Sequence, residues 1–420
     1  MPSPVMSLFW ITAVAAVAPL IAGLVPRKLV PEVVLLIGLG MLIGPYGLEF
    51  AETDEAIEML HELGLAMLFL LAGFEIEPAE LAGRDGRRAL GTWLVSLALA
   101  FGLVGLLGVT NVLDSQVAVA IALTSTALGT LLPILKDNGL LKTRVGASVL
   151  RHGAYGELGP ILAIALLLGT RGPVESLLVL AAFGAITLLL GFPPRRLRRE
   201  TSRLLELIRS GAETTGQTPV RLTMFLLVTL TAVAAILELD VVLAAFAAGF
   251  ILRLAVPDGN EHLEARVEGI AYGLLVPVFF VTSGMAVDAA AIVSRPLAFV
   301  SVIVLILLVR GLPVFLLSRF SRSEDGTGMD LRDSLAVGLF ASTGLPIIVA
   351  VTSITVAANE MSPDNASLLV GAGAATVLIC PLLAMLLIRS PEEGSGIRSE
   401  MKSAKGGRPP ASRQGLRGKK

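Results

Sequence analysis

The chain is predicted to be an all-α polytopic membrane protein of about thirteen transmembrane helices, arranged as an inverted repeat with two crossed discontinuous helices. Three observations predict this. Hydrophobic residues fill 54% of 420 positions and charged residues only 16%, against roughly 25% charged in soluble domains. Mean hydropathy is +0.81, and apolar runs long enough to cross a bilayer recur along nearly the whole length. Two of those runs also carry the same interior texture of hydroxyls followed by Gly and Pro.

The periodicity places spans at 5–25, 29–46, 58–76, 89–108, 116–135, 145–169 and 173–192, and then at 221–237, 240–256, 269–287, 295–318, 331–356 and 366–389. The first begins within five residues of the start and has neither a basic flank nor a small-residue cleavage site, so it reads as a retained helix. Odd-numbered loops hold Arg27 and Lys28, then Arg84, Arg87 and Arg88, then Lys136, Lys142 and Arg144. They continue with Arg195, Arg196, Arg198 and Arg199, and with Arg319, Arg322 and Arg332. Even-numbered loops hold acids such as Glu49, Glu52, Asp54, Glu55, Asp114, Glu238, Asp240, Glu360 and Asp364. Lys and Arg collect on the cytoplasmic side, which puts the N-terminus outside the cell membrane and the C-terminus in the cytoplasm. Residues 1–192 form an N-terminal membrane half and 221–389 a C-terminal half, joined by a basic linker at 193–220. Residues 390–420, rich in Gly, Ser, Lys and Arg, are expected to be a disordered cytoplasmic tail with some attraction to anionic lipid.

The fifth span, VAVAIALTSTALGTLLPILK, carries Thr124, Ser125 and Thr126, then Gly129 and Pro133. The twelfth, LAVGLFASTGLPIIVAVTS, carries Ser342, Thr343 and Gly344, then Pro346. Hydroxyls followed by Gly and Pro in mid-span suit an unwound helix, whose freed backbone groups need partners. The two spans are seven apart, an odd number, so they run in opposite directions. That is the pattern of an inverted-repeat transporter with broken helices meeting at a midplane ion site. Helix contacts also use Ser, Thr and Gly, so either span alone would say less.

Glu157 lies about twelve residues into the sixth span, roughly 18 Å from one face at 1.5 Å per residue. A core of about 30 Å puts it near the bilayer midplane. An ionised group there costs at least about 2.5–3.5 kcal/mol, so its persistence points to ion or proton transport. The plainer alternative is a protonated carboxyl serving as a hydrogen-bond donor. Arg310 is a second intramembrane charge, read as the charge partner of Glu157, with snorkelling to the near face as the alternative. His152 is a candidate pH sensor, whereas Arg151 lies near enough to a span end to snorkel. Glu32, His61 and Glu62 fall near span ends and read as interfacial. The three histidines form no metal-ligand cluster, and Cys380 has no cysteine to pair with. The run Gly38, Gly40, Gly44 sits inside a span with no strand before it, and reads as close helix packing rather than a nucleotide site.

Several segments resemble the monovalent cation:proton antiporters, specifically the Kef-type and sodium/proton exchanger branch. LVPEVVLLIGLGMLIGPYGL is similar to that family's second helix, and LGLAMLFLLAGFEIEPAEL to its leucine-rich third. ALTSTALGTLLPILKDNGLLKTRVG is similar to its Ser-Ser-Thr-Ala segment with the following Leu-Leu-Lys-Thr. VVLAAFAAGFILR and LLVPVFFVTSGMAVD resemble its paired Gly-Ala-Phe-x-Ala-Gly and Phe-Phe-x-x-x-Gly-Met motifs. The resemblance runs from about residue 29 to 389. It implies that the ion-binding carboxylate, eleven residues past Gly146, is Glu157 here instead of aspartate. The neighbouring polar residue is replaced by Gly156. The basic residue, twenty-six past Gly284, is Arg310, where Kef-type members often have lysine. The usual Gly-Gly-Glu of the twelfth span is replaced around Ser342-Thr343-Gly344.

The sequence thus reads as a secondary-active antiporter, exchanging sodium or potassium for protons through one intramembrane carboxylate. Glu157 binds a proton or a monovalent cation, never both, with oxygen ligands from Thr124, Ser125, Thr126, Ser342 and Thr343. A core rocking against spans 1–3 and 8–10, which form a homodimer interface, completes the expectation. With one carboxylate, and an arginine that keeps its charge, exchange is expected to be electroneutral. The alternatives are a potassium-efflux or channel-like system and a non-transporting membrane sensor. The tail is too short for the nucleotide-binding domain that Kef-type systems append. A membrane-embedded enzyme would need paired intramembrane Asp, His-Glu-x-x-His or a Ser/His dyad, and none is present. No cofactor and no nucleic-acid partner are expected.

Overall fold

The computed structural model describes residues 3–24, 30–81, 83–108, 115–168, 173–191, 217–255, 261–320 and 328–388. The described chain is a bundle of helices: α1 Pro4–Leu24, α2 Glu32–Ile43, α3 Glu55–Glu75, α4 Gly83–Gly108, α5 Gln116–Leu123, α6 Leu128–Asp137, α7 Arg144–Leu167 and α8 Pro173–Gly191. The second half holds α9 Thr218–Ile236, α10 Val241–Ala255, α11 Glu261–Ile270 and α12 Val276–Met285. It continues with α13 Pro296–Ile306, α14 Leu312–Phe320, α15 Leu331–Ala341, α16 Leu345–Ala357 and α17 Pro363–Leu387. A π-helical turn, Ala271–Leu275, joins α11 to α12, and another, Leu307–Gly311, joins α13 to α14. Residues 193–216 of the basic linker and the whole of the tail, 390–420, lie outside the described residues.

This is a multi-pass membrane protein. Among the described residues, nine helical stretches are long and apolar enough to cross a membrane. The count of thirteen spans does not follow from length and composition alone. Glu32–Ile43, Val174–Ala185 and Val241–Ala255 are apolar but shorter, and Arg144–Leu167 carries Arg144, Arg151 and Glu157.

Two packing groups can be distinguished. In one, α3 packs on α10, and α12 packs on α2 and α3. Backbones approach closely there because Gly64, Gly73 and Gly249 face backbone carbonyls of the neighbouring helix, which is how membrane helices maximise dispersion contact. In the other, α7 packs on α4 and α15, while α17 packs on α13, α15 and α16. The first group draws on spans one to three and eight to ten, the second on spans four to six and eleven to thirteen. Each group therefore combines pieces of both sequence halves. The groups meet where α3 touches α6, α2 touches α17 and α10 touches α7.

Candidate functional site

Both expected helix breaks are present. The fifth span stops at Leu123 and resumes at Leu128, and the twelfth stops at Ala341 and resumes at Leu345. The hydroxyls satisfy the carbonyls that each stop leaves without a helical donor. Thr124 Oγ1 donates to Ile121 O at 2.8 Å and Ser125 Oγ to Ala122 O at 2.6 Å. Ser342 Oγ donates to Gly338 O at 2.9 Å and Thr343 Oγ1 to Phe340 O at 2.8 Å. The two breaks lie against each other: Ala127 N–H donates to Thr343 O at 2.6 Å, Ser125 Oγ approaches Gly344 O at 3.1 Å, and α5 packs on α16. A side chain at 344 would collide with Ser125, so the crossing requires glycine there.

The sixth span fits into this crossing through a proline. Pro160 has no N–H, which leaves the carbonyl of Gly156 without its helical donor. Thr126 N–H takes that carbonyl at 2.9 Å. Gly156 itself has no room for a Cβ, because Thr126 and the Arg310 guanidinium occupy the space. The missing polar neighbour of Glu157 is therefore a steric consequence of where Arg310 lies.

Glu157 is 4% exposed. Its Oε1 accepts the N–H of Leu128 at 2.8 Å. Leu128 opens α6, whose capping residue Ala127 supplies no side-chain cap, so the carboxylate of another span caps the helix. The positive end of the α6 dipole points at it, an arrangement suited to negative charge. Its Oε2 is buried without a partner.

Arg310 is wholly buried, which excludes snorkelling. No ion pair joins Arg310 to Glu157 among the described residues. Its Nε donates to Thr126 Oγ1 at 2.9 Å and its Nη2 to His152 O at 2.5 Å, while Nη1 has no partner. Thr126 Oγ1 in turn donates to Ala341 O at 2.5 Å, so its proton is committed to holding the crossing. The π turn at Leu307–Gly311 inserts one extra residue per turn, and Arg310 falls within it.

His152 is buried, with Nδ1 2.8 Å from Ser148 O and Nε2 unpartnered. His61, read as interfacial from its place near a span end, is buried within the protein, with Nδ1 2.7 Å from Thr282 Oγ1. Thr282 sends its own proton to Val278 O, so His61 Nδ1 is the donor. Glu32 and Glu62 are exposed, and Arg151 reaches Asp85 at 3.1 Å.

Sequence reasoning passed over Glu75, the last residue of α3. Its Oε2 is buried without a partner. A cavity of about 130 Å³ lies between Glu75, Ile76 and Glu77 on one side and Leu128, Leu132, Leu150 and Ala154 on the other. An acid closing an apolar helix looks interfacial in sequence. The approach of α3 to α6 and to the π turn Ala271–Leu275 gives it neighbours.

The profile of the family described as sodium/hydrogen exchanger, transmembrane, matches residues 12–388. The chain belongs to the sodium/hydrogen exchanger family. It is 24% identical over 390 residues to the putative Na(+)/H(+) antiporter YjbQ of Bacillus subtilis, covering 87% of this chain and 60% of that one. It is 26% identical over 370 residues to the glutathione-regulated potassium-efflux system protein KefC of an Enterobacter species, covering 85% and 56%. The chain thus spans less than two thirds of the length of these relatives. The solved sodium proton antiporter MjNhaP1 of Methanocaldococcus jannaschii shares the exchanger fold, with a TM-score of 0.58 at 17% identity, over 91% of this chain and 99% of that one.

Proposed function

We propose that this exchanger-family chain is a secondary-active antiporter that swaps a monovalent cation, sodium or potassium, for protons at Glu157. The observation that carries the reading is the environment of that carboxylate. It is 4% exposed, anchored through Oε1 to the start of a broken helix, and has its other oxygen free. A group so placed holds one cationic ligand at a time, a proton on Oε2 or a desolvated metal ion. Exchange follows from that exclusion, because each ligand must leave before the other binds. Cation choice is sodium or potassium, the ions named for YjbQ and KefC respectively.

Arg310 acts through the backbone. It fixes the break of the fifth span, and so fixes Leu128, the donor to Glu157. The hydroxyls of Thr124, Ser125, Ser342 and Thr343 have their protons directed to helix carbonyls, which leaves oxygen lone pairs for a hard cation. The division into two packing groups supports a rocking cycle in which α4 to α7 and α13 to α17 move against α1 to α3 and α9 to α12. The group of α1 to α3 and α9 to α12 would supply a homodimer contact. The topology proposed is thirteen spans in a cell membrane, with the N-terminus outside and the C-terminus cytoplasmic.

Reconstitution into liposomes tests the reading. An imposed sodium or potassium gradient should drive proton movement in the opposite direction, reported by a trapped pH dye. Absence of coupled proton flux with either cation, in correctly folded protein, would overturn it.

A further inference from the structure

We propose that Gly129 is a specificity-determining residue: its missing side chain leaves open the space beside Glu157, and the width left there limits the size of the cation admitted. The proposal deepens the antiport reading and rests on it. Three observations carry it.

First, neither packing nor backbone geometry asks for glycine at this position. Around the crossing, Gly153, Gly156 and Gly344 have no room for a Cβ, which would collide with Leu128, Arg310 and Ser125 respectively. A Cβ on Gly129 meets only ordinary van der Waals neighbours. The nearest are Glu75 Oε2 at 3.5 Å, the Tyr272 hydroxyl at 3.7 Å and Glu75 Oε1 at 3.8 Å. The residue lies within α6, and its backbone is not left-handed. Alanine would make the more stable helix here, so glycine serves something other than the fold.

Second, the missing methyl would point across the boundary between the packing groups, since Glu75 and Tyr272 belong to the group opposite α6. The other side of the residue faces the site. Leu128 N–H holds Glu157 Oε1, and the Gly129 N–H also bears on that carboxylate. Gly129 therefore stands between Glu157 and the side chains across the boundary. It is half-buried, whereas Leu128 is buried.

Third, the cavity of about 130 Å³ adjoins this point, because Glu75 lines it. Its α6 wall is Leu128 and Leu132, on either side of Gly129 in sequence, and its α7 wall is Leu150 and Ala154. Those two share a helix face with Glu157, at spacings of four and three residues. The cavity thus leads along α7 towards the unpartnered Oε2 of Glu157. One water needs roughly 10–15 Å³ of such space, so a cation enters with waters still attached. At the carboxylate it exchanges them for protein oxygens, and its own radius then decides whether it fits. A methyl at residue 129 narrows that last step, and it excludes potassium and rubidium before sodium and lithium.

The experiment compares wild type, Gly129→Ala and Gly129→Val, each with its melting temperature in detergent and its exchange in liposomes with lithium, sodium, potassium or rubidium. Gly129→Ala should melt no lower than wild type. Its apparent KM should rise about tenfold for potassium and rubidium, the scale of one methyl group in a pocket, and stay within about twofold for sodium and lithium. Gly129→Val should raise KM for sodium as well. A lower melting temperature in Gly129→Ala would show that packing requires the glycine, and would overturn the proposal. So would an unchanged KM, an equal loss with all four cations, or a loss greatest for lithium, which would mean that the methyl excludes water and not the ion. Silent wild-type liposomes would sink the antiport reading. In that case thermal stabilisation by the same four salts reads the proposal without transport: a loss in Gly129→Ala that grows with cation radius supports it, and an unchanged ranking refutes it.

Discussion

Arg310 Nε donates to Thr126 Oγ1 at 2.9 Å, and Thr126 Oγ1 donates to Ala341 O at 2.5 Å. This relay runs from the eleventh span through the break of the fifth to the break of the twelfth, and it makes the guanidinium a clamp on the helix crossing. Such a chain polarises each of its members, which strengthens bonds that water cannot replace in a buried site.

Thr126→Val keeps the shape and removes the hydroxyl. It leaves Arg310 Nε and Ala341 O without partners, at a cost of about 1–3 kcal/mol each. The melting temperature in detergent should fall, and exchange should fall with it as the Leu128 N–H loses its fixed position. Thr126→Ser should recover both. A valine variant as stable and active as wild type would mean the relay contributes nothing.

Glu157→Gln is expected to abolish exchange in a folded protein. The amide oxygen can still accept from Leu128 N–H, so the cap on α6 survives. What disappears is the exchangeable proton and the negative charge. Glu157→Asp should retain part of the rate, limited by the shorter reach to Leu128. Exchange at the wild-type rate in the glutamine variant would remove Glu157 from the mechanism.

Restoring a polar neighbour beside Glu157 should fail. Gly156→Asp and Gly156→Ala both place a Cβ where Thr126 and the Arg310 guanidinium already lie. Overpacking of this kind costs typically about 1–3 kcal/mol, read as a lowered melting temperature. An aspartate variant with unchanged stability and a new cation preference would show that the helices can part to admit it.

Orientation can be tested at two exposed turns. In a Cys380→Ser background, a cysteine replacing Asn138 should resist a membrane-impermeant thiol reagent in intact cells, and one replacing Glu360 should react. Both residues are exposed, so reagent access depends only on the side of the membrane. The reverse labelling pattern would invert the topology.

Exchange should be electroneutral. Glu157 carries one positive charge in each direction, as proton or as metal ion, and Arg310 has no contact through which to hand on a proton to it. Imposed membrane potential should leave the liposome rate unchanged. A sustained current on a solid-supported membrane would require a second titrating group, for which buried His152 and Glu75 are the candidates.

The two broken helices were legible in sequence because their cause is local. Thr124, Ser125, Ser342 and Thr343 each satisfy a carbonyl three or four residues earlier on their own chain, so the pattern of hydroxyl, Gly and Pro contains the whole argument. The partner of Arg310 was not legible. Its position in mid-span singled it out, but no sequence shows which side chains and carbonyls it meets. In the fold, carbonyl and hydroxyl oxygens of His152 and Thr126 receive the guanidinium. The contact of His61 was not legible either: distance from a span end says nothing about whether Thr282 of another span covers the ring.

The sequence by itself determined that this chain crosses a membrane many times, where its helices break, and that Glu157 stands in the middle of an apolar segment. Those properties depend on composition and on spacings of a few residues, which the chain carries wherever its neighbours lie. Tertiary structure alone decided that Gly156 must be small, that Pro160 frees a carbonyl for Thr126, and that Glu75 faces the start of α6. Each of these joins atoms from segments distant in sequence, and no periodicity encodes the distance between two helices that must first pack to meet.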